Sequence, residues 1–181
     1  MTIATRATID DLMNVKSKAE LIEGEIVFMA PTGDFPSSAG GAVYSSLREY
    51  ARKTGLGRAY TDNVGYVVRL PHRESFSPDS SFHVGERSGM RFLEGAPVFA
   101  VEVRSENDYG DTAERNMAQK RADYFACGTL VVWDVDLLGM DVIRSYRADA
   151  PYSPKVFKKD ELAKAEPALP DWTFAVNELF E

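Results

Sequence analysis

The chain has 181 residues, 44% of them hydrophobic and 27% charged, enough for one domain with a proper core and short for two. Its formal net charge of −7 opposes long-range capture of nucleic acid, so any nucleic-acid site has to be a local basic patch. The lone Cys127 excludes an internal disulfide, fits a reducing compartment, and reads as a buried inert thiol in its apolar stretch. No cationic segment followed by an apolar one opens the chain, and no apolar run approaches the length of a bilayer span. The expectation is a cytoplasmic protein with no membrane contact.

Thr8, followed three residues later by Asp11, predicts a short capped helix through about Lys16. Glu20-Leu21-Ile22 and Glu25 to Met29 flank Glu23-Gly24, a pair suited to a tight hairpin because glycine accepts a positive φ. After the break at Pro31 to Asp34, Ala39, Val43, Leu47, Tyr50 and Thr54 recur at helical spacing, and Gly55 stands where the helix should stop. Arg58 to Asp62 and Gly65 to Leu70 read as strands with a turn at Asn63, and the polar stretch Pro71 to Ser77 reads as a loop. Pro78-Asp79 opens a strand from Ser80 to Val84, since proline is tolerated at a strand's first residue. Gly85 to Ala96 reads as an irregular connection.

Pro97 to Ser105 is a valine-rich run that predicts a buried central strand, and it contains one acid, Glu102. A bare carboxylate there costs several kcal/mol, so Glu102 must meet a cation, lie at an open strand end, or be protonated. Alternation puts Glu102 on one face with Ala100 and Arg104, and Val101 and Val103 on the other. A purely structural pairing of Glu102 with Arg104 is the simplest account of the residue taken alone. A helix follows from about Asp111 to Ala126, stopped by Gly128, with an inward stripe at Ala113, Met117, Tyr124 and Cys127. Lys120 falls where that seam calls for an apolar residue. It either snorkels to the helix edge or reaches the end of the Glu102 strand. Leu130 to Trp133 reads as a buried strand and Gly139 to Tyr146 as an outer one, with Met140, Val142 and Arg144 on one face and Asp141 and Ile143 on the other. A turn at Leu169 to Trp172 and a short apolar end at Val176, Leu179 and Phe180 close the chain.

Asp79 either caps its own turn or, with Glu102 on another strand, supplies hard oxygen ligands for Mg2+. A lysine beside such a pair can orient a water or neutralise charge at a phosphoryl oxygen. Pro78-Asp79, Val101-Glu102-Val103-Arg104-Ser105, Lys120 four residues before Tyr124 and ahead of Gly128, and Trp133-Asp134-Val135-Asp136 together resemble one group. It is the putative restriction endonuclease branch of the PD-(D/E)XK nuclease superfamily. Glu20-Leu21-Ile22-Glu23-Gly24-Glu25 is similar to that branch's N-terminal motif, so the resemblance runs from about Glu20 to Tyr146.

The resemblance implies an α/β fold, a restriction-endonuclease-like mixed β-sheet flanked by helices, and hydrolysis of phosphodiester bonds in DNA. By the same resemblance Asp79 and Glu102 bind Mg2+ or Mn2+ and Lys120, moved from strand to helix, positions the attacking water. Glu20 is an accessory acid at the metal, with Glu23 as its alternative. Arg104, in the slot the superfamily usually gives to lysine, stays charged and is the candidate phosphate contact. The branch often carries a histidine after the Pro-Thr-Gly segment; Pro36 to Gly40 holds none here, and His72 and His83 read as ordinary loop and strand residues. The expected organisation is one domain over 1–181, with a core at about 20–146 and a C-terminal extension at 147–181. A homodimer is expected because cutting two strands needs two sites. The competing reading is a catalytically inactive binding or scaffold protein of the same fold, favoured by the acidic net charge and the absent histidine.

Overall fold

A computed structural model gives the structure of the protein and describes residues 6–181. The first helix, α1 (Ile9–Met13), opens on the expected cap: the Thr8 hydroxyl accepts from the Asp11 amide at 3.2 Å, and the Asp11 carboxylate accepts from the Thr8 amide at 2.8 Å. It ends sooner than Lys16. Strands β1 (Ala19–Ile22) and β2 (Glu25–Phe28) pair antiparallel across Glu23-Gly24, whose φ values of 55° and 77° make the two-residue turn that glycine and a polar neighbour favour. Helix α2 (Asp34–Thr54) follows, and Gly55 ends it at φ 70°.

Strands β3 (Arg58–Thr61), β4 (Tyr66–Leu70), β5 (Arg73–Phe76), β6 (Ser80–His83), β7 (Leu93–Glu94) and β8 (Phe99–Val103) come next. Helix α3 (Asp111–Ala126) returns the chain to β9 (Val131–Val135), which lies parallel to β8 with Glu102 opposite Asp134. A helical crossover is what a parallel pair requires. Strands β10 (Ile143–Arg147), β11 (Ala150–Phe157), β12 (Leu162–Lys164) and β13 (Thr173–Ala175) and a final 3-10 turn (Val176–Phe180) complete the chain.

The architecture is α/β, but its strands divide among sheets rather than forming one. A six-stranded mixed sheet runs β11-β10-β9-β8-β6-β3, a five-stranded one β2-β1-β5-β4-β7, and β12 pairs with β13. On one face of the larger sheet, Ala39, Val43 and Leu47 of α2 pack on Phe82, Phe99, Val101 and Trp133. On the other, Ala100 and Val132 meet Tyr66, Phe76 and Leu93 of the smaller sheet and Tyr124 of α3. The predicted alternation of β8 is therefore observed: Val101 and Val103 face α2, while Ala100 and Glu102 face the second sheet and α3.

The sequence reading is corrected at several points. Pro71 to Ser77 is not a loop, since β5 runs through it with Arg73 and Ser75 buried; its polar composition reflects ion pairing inside the protein rather than exposure. The Gly139 to Tyr146 segment is not an outer strand, because β10 lies between β9 and β11. Met140 is exposed, and Val142 and Ile143 are both buried, where a turn built on Asp136 breaks the alternation. The stripe on α3 is shallower than its spacing suggests: Ala113 and Met117 are half-buried, and the buried side chains are Asp123 and Tyr124. The irregular Gly85 to Ala96 segment contributes β7.

The C-terminal segment joins the same core. Trp172 lies 5.7 Å from Phe99 and 5.2 Å from Trp133 between ring centroids, and Leu169, Phe174, Val176 and Leu179 are buried with it.

Candidate active site

The face of β8 that looks toward the second sheet carries Glu102, and α3, which leaves that strand and folds back over it, carries Lys120 and Tyr124 one turn apart. The Lys120 ammonium lies 2.9 Å from both Glu102 oxygens, and the Tyr124 hydroxyl donates to Glu102 Oε1 at 2.7 Å. Spacing of four residues puts two donors from one helix face on one carboxylate. Phe76 of β5 stacks on the Tyr124 ring at 4.0 Å, which fixes the phenol from behind.

Glu20, on the buried face of β1, takes the other side of the ammonium: its Oε1 lies 3.0 Å from Lys120 Nζ and accepts from the Ser77 amide at 2.9 Å. Its Oε2 accepts from Arg73 Nη1 at 2.6 Å. Arg73 in turn donates through Nε to Asp123 at 2.7 Å, and Asp123 also bonds His72 Nε2 and Gln119, each at 2.8 Å. Glu20 is thus at the site, while Glu23 sits exposed in the hairpin turn.

Asp79 lies ahead of β6, where antiparallel pairing with β8 brings it to the end of the Glu102 strand. Its Oδ2 accepts from the Val103 amide at 2.8 Å, one residue from Glu102, and its Oδ1 from Lys18 Nζ at 3.0 Å. Lys18 also lies 2.5 Å from Asp62 Oδ1. The Ser80 hydroxyl donates to the Gly40 carbonyl at 2.6 Å, tying α2 to the Asp79 strand.

The electrostatics separate the groups into roles. Burial pushes the Glu102 carboxyl above its ordinary value and the charges of Asp79 and Glu20 add to this, with Lys120 opposing. Burial acts on Glu20 in the same direction, but Lys120 and Arg73 together outweigh it and hold that carboxyl low. Burial alone would lower the Lys120 ammonium; Glu102 and Glu20 instead hold it well above the usual lysine range. Lys120 is therefore a donor at neutral pH and not a base. Tyr124 is pushed well up by burial and by the same two carboxylates, so it too remains a donor.

Around the site Glu20, Asp62, Asp79, Glu102 and Asp123 face Lys18, Arg73 and Lys120, five acids against three cations. Among the described residues no group of three or more His, Cys, Asp or Glu side chains is disposed to hold a metal ion alone. Mg2+ does not need one, because it takes one or two carboxylates and keeps several waters. Asp79 and Glu102 offer hard oxygens from different strands, and the surplus negative charge that raises Glu102 is what a divalent cation would relieve. The donor set fits such an ion.

Arg104 is placed differently from its expected role. Its Nε and Nη2 bond Asp134 at 2.8 and 2.9 Å, its Nη1 reaches the Asp108 carbonyl at 3.4 Å, and both Nη atoms pair with Glu114. All five N–H groups are taken by protein acceptors, which leaves none directed at a phosphate. His83 is buried in β6, with Nε2 3.3 Å from the Glu94 carbonyl. Sequence reasoning missed Lys18, Arg73 and Asp123 altogether and gave Tyr124 only a packing role. Lys18 had a signal: two residues before Glu20 at a strand entrance, it falls on the same face.

A family model described as a putative restriction endonuclease matches residues 7–177. A crystal structure described as that of a putative nuclease belonging to DUF820, from Anabaena variabilis ATCC 29413, is similar over 96% of this chain and 97% of that one. The TM-score is 0.73 at 20% sequence identity, a likeness of fold. No curated protein matches the chain.

Proposed function

The chain belongs to the Uma2 putative restriction endonuclease family, and from that premise we propose that it is a Mg2+- or Mn2+-dependent endonuclease hydrolysing phosphodiester bonds in DNA. The observation that carries the reading is that Glu20 and Glu102 from two strands meet on Lys120 of α3, with Asp79 bonded to the Val103 amide one residue from Glu102. Charged groups are expensive to bury even when paired, and such a cluster marks a functional site more often than a packing solution.

In this reading Asp79 and Glu102 hold the ion, which when bound supplies Lewis-acid neutralisation of charge at the scissile phosphate. Lys120, locked as an ammonium between Glu102 and Glu20, donates to the attacking water and to the phosphoryl oxygens as their charge grows. Glu20, the most deeply buried of the three acids and bonded to Arg73 and the Ser77 amide, aims Lys120 and serves as the accessory acid at the ion. Tyr124 holds Glu102 in the rotamer that the site needs. Arg104 fixes α3 to the strands beneath it.

The test is nicking of supercoiled plasmid at low salt with Mg2+ or Mn2+, wild type beside Glu102→Ala. We expect metal-dependent nicking that falls by at least about a hundredfold in the variant, as for loss of a group central to charge stabilisation. Equal nicking by both proteins sinks the assignment. No nicking by folded wild type moves the weight to an inactive binding protein of the same fold.

A further inference from the structure

Lys18, unlike Lys120, has no part in the reaction described above, and it sits directly on one of the proposed ion ligands. Its ammonium lies 3.0 Å from Asp79 Oδ1 and 2.5 Å from Asp62 Oδ1, and its side chain is only 15% exposed. The other Asp79 oxygen, Oδ2, is occupied by the Val103 amide. An ion that ligates Asp79 through Oδ1 must therefore meet an ammonium already seated there. Two cations that share one carboxylate oxygen at contact distance repel strongly in a partly desolvated site; Lys120 at Glu102 has Glu20 as its second acid, and Lys18 at Asp79 has Asp62.

The backbone of Lys18 is pinned, since its carbonyl accepts from the Met29 amide at 3.0 Å. Movement of the ammonium is thus limited to what the side-chain stem allows. Asp62, at the end of β3 and 41% exposed, is the seat within reach that does not belong to the ion's own ligands. Without Lys18, the ion-free protein would leave Asp79 facing Glu102 and Glu20 with a bare oxygen. With it, that charge is offset and the cluster is affordable.

We propose that Lys18 is a resident counter-ion that competes with the divalent cation for Asp79 and withdraws onto Asp62 when the cation binds. This rests on Asp79 being an ion ligand, as in the function proposed above. It offsets part of the site's negative charge in the absence of the ion, and it sets a threshold on ion affinity that is independent of the chemistry at phosphorus.

The experiment is calorimetric titration of Mn2+ alone into wild type, Lys18→Met, Lys18→Arg, Asp62→Asn and the Lys18→Met/Asp62→Asn double variant, with melting curves to establish folding. Lys18→Met is expected to bind Mn2+ about tenfold more tightly than wild type, a coupling typical of groups in contact. Lys18→Arg, which keeps the charge, should bind no more tightly than wild type. Asp62→Asn should weaken binding, because the ammonium then has only Asp79, and the loss should shrink in the Lys18→Met background. If Lys18→Met does not fold, Lys18→Gln carries the same expectation with a hydrogen bond retained.

Unchanged or weaker binding by the neutral variant overturns the role of Lys18 while leaving Asp79 and Glu102 as ligands. An Asp62→Asn loss of equal size in both backgrounds overturns the withdrawal, since a general field effect would not depend on Lys18. Wild type that binds no Mn2+ overturns the ion site itself and this inference with it.

Discussion

Glu102 has its two oxygens served by donors from one helix, and the two donors differ in kind. Lys120 supplies charge, which the carboxylate would share with any ion that arrives. Tyr124 supplies direction: its hydroxyl bonds Oε1 at 2.7 Å and its ring is held by Phe76, so it has no freedom to follow a moving partner. Tyr124→Phe keeps the stacking and removes only the bond. We expect a loss of about 1–3 kcal/mol in stability, the range for a hydrogen bond to a charged group in a buried setting. Mn2+ affinity should weaken several-fold because Glu102 gains rotamer freedom. Chemical denaturation and metal titration check the two arms; affinity that stays at the wild-type value would leave Tyr124 a packing residue. At this scale the sequence was legible where the residue type clashed with its place, as with an acid in a valine strand and a lysine in an apolar seam. It was illegible where the residue looked at home, as Tyr124 did.

Strands β8 and β9 and helix α3 form one unit, and Arg104 is its clasp. The guanidinium joins the end of β8 to Asp134 on β9 and to Glu114 in the first turn of α3, where an acid is already favoured by the helix dipole. Asp134 is fully buried, and its carboxylate is paired by this contact and by Arg121, whose Nη1 is 3.4 Å away. Arg104→Lys cannot reproduce the bidentate geometry. We expect it to cost about 1–3 kcal/mol, for the charged hydrogen bonds to Asp134 and Glu114 that an ammonium does not replace, and to lower the melting temperature by roughly 5 °C. A phosphate contact would behave otherwise, with substrate affinity falling at unchanged stability, so a melting curve beside nicking kinetics separates the two. The extents of α3 and of the β1-β2 hairpin follow from local signals, namely a helix stop at Gly128 and a Glu-Gly turn. Strand β5 does not, because Arg73 is buried by Glu20 and Asp123, residues distant in sequence that no local window contains.

Two sheets close on the acids, and a single apolar core on the far side of the larger sheet supports them. The segment after β11 is part of that support. Tyr50 donates to the Pro170 carbonyl at 3.0 Å and Trp172 Nε1 to Ser46 at 3.1 Å, so α2 is held by the chain's last quarter. Leu169, Trp172, Phe174, Val176 and Leu179 are each buried, and at roughly 2 kcal/mol apiece their removal costs about 10 kcal/mol. That is the size of a typical domain's whole stability. Deleting 162–181 should therefore yield a chain without a cooperative melting transition, read by circular dichroism; a truncated protein that melts as sharply as wild type would make the segment a detachable appendage.

The sequence by itself determined both long helices and most of the strands, β5 and β7 excepted, since periodicity, caps and turn glycines act over a few neighbouring residues. It also carried acids and a lysine in an order that resembles the putative restriction endonuclease family to which the chain belongs. Only the tertiary structure decided the pairings: Glu20 rather than Glu23 beside Lys120, Arg104 on Asp134 and Glu114, and Lys18 on Asp79. Charge interactions reach across whatever distance the fold closes. Lys18 and Asp79 are 61 residues apart in the chain and 3.0 Å apart in space. Which cation meets which acid is fixed by sheet topology, which no short-range pattern encodes.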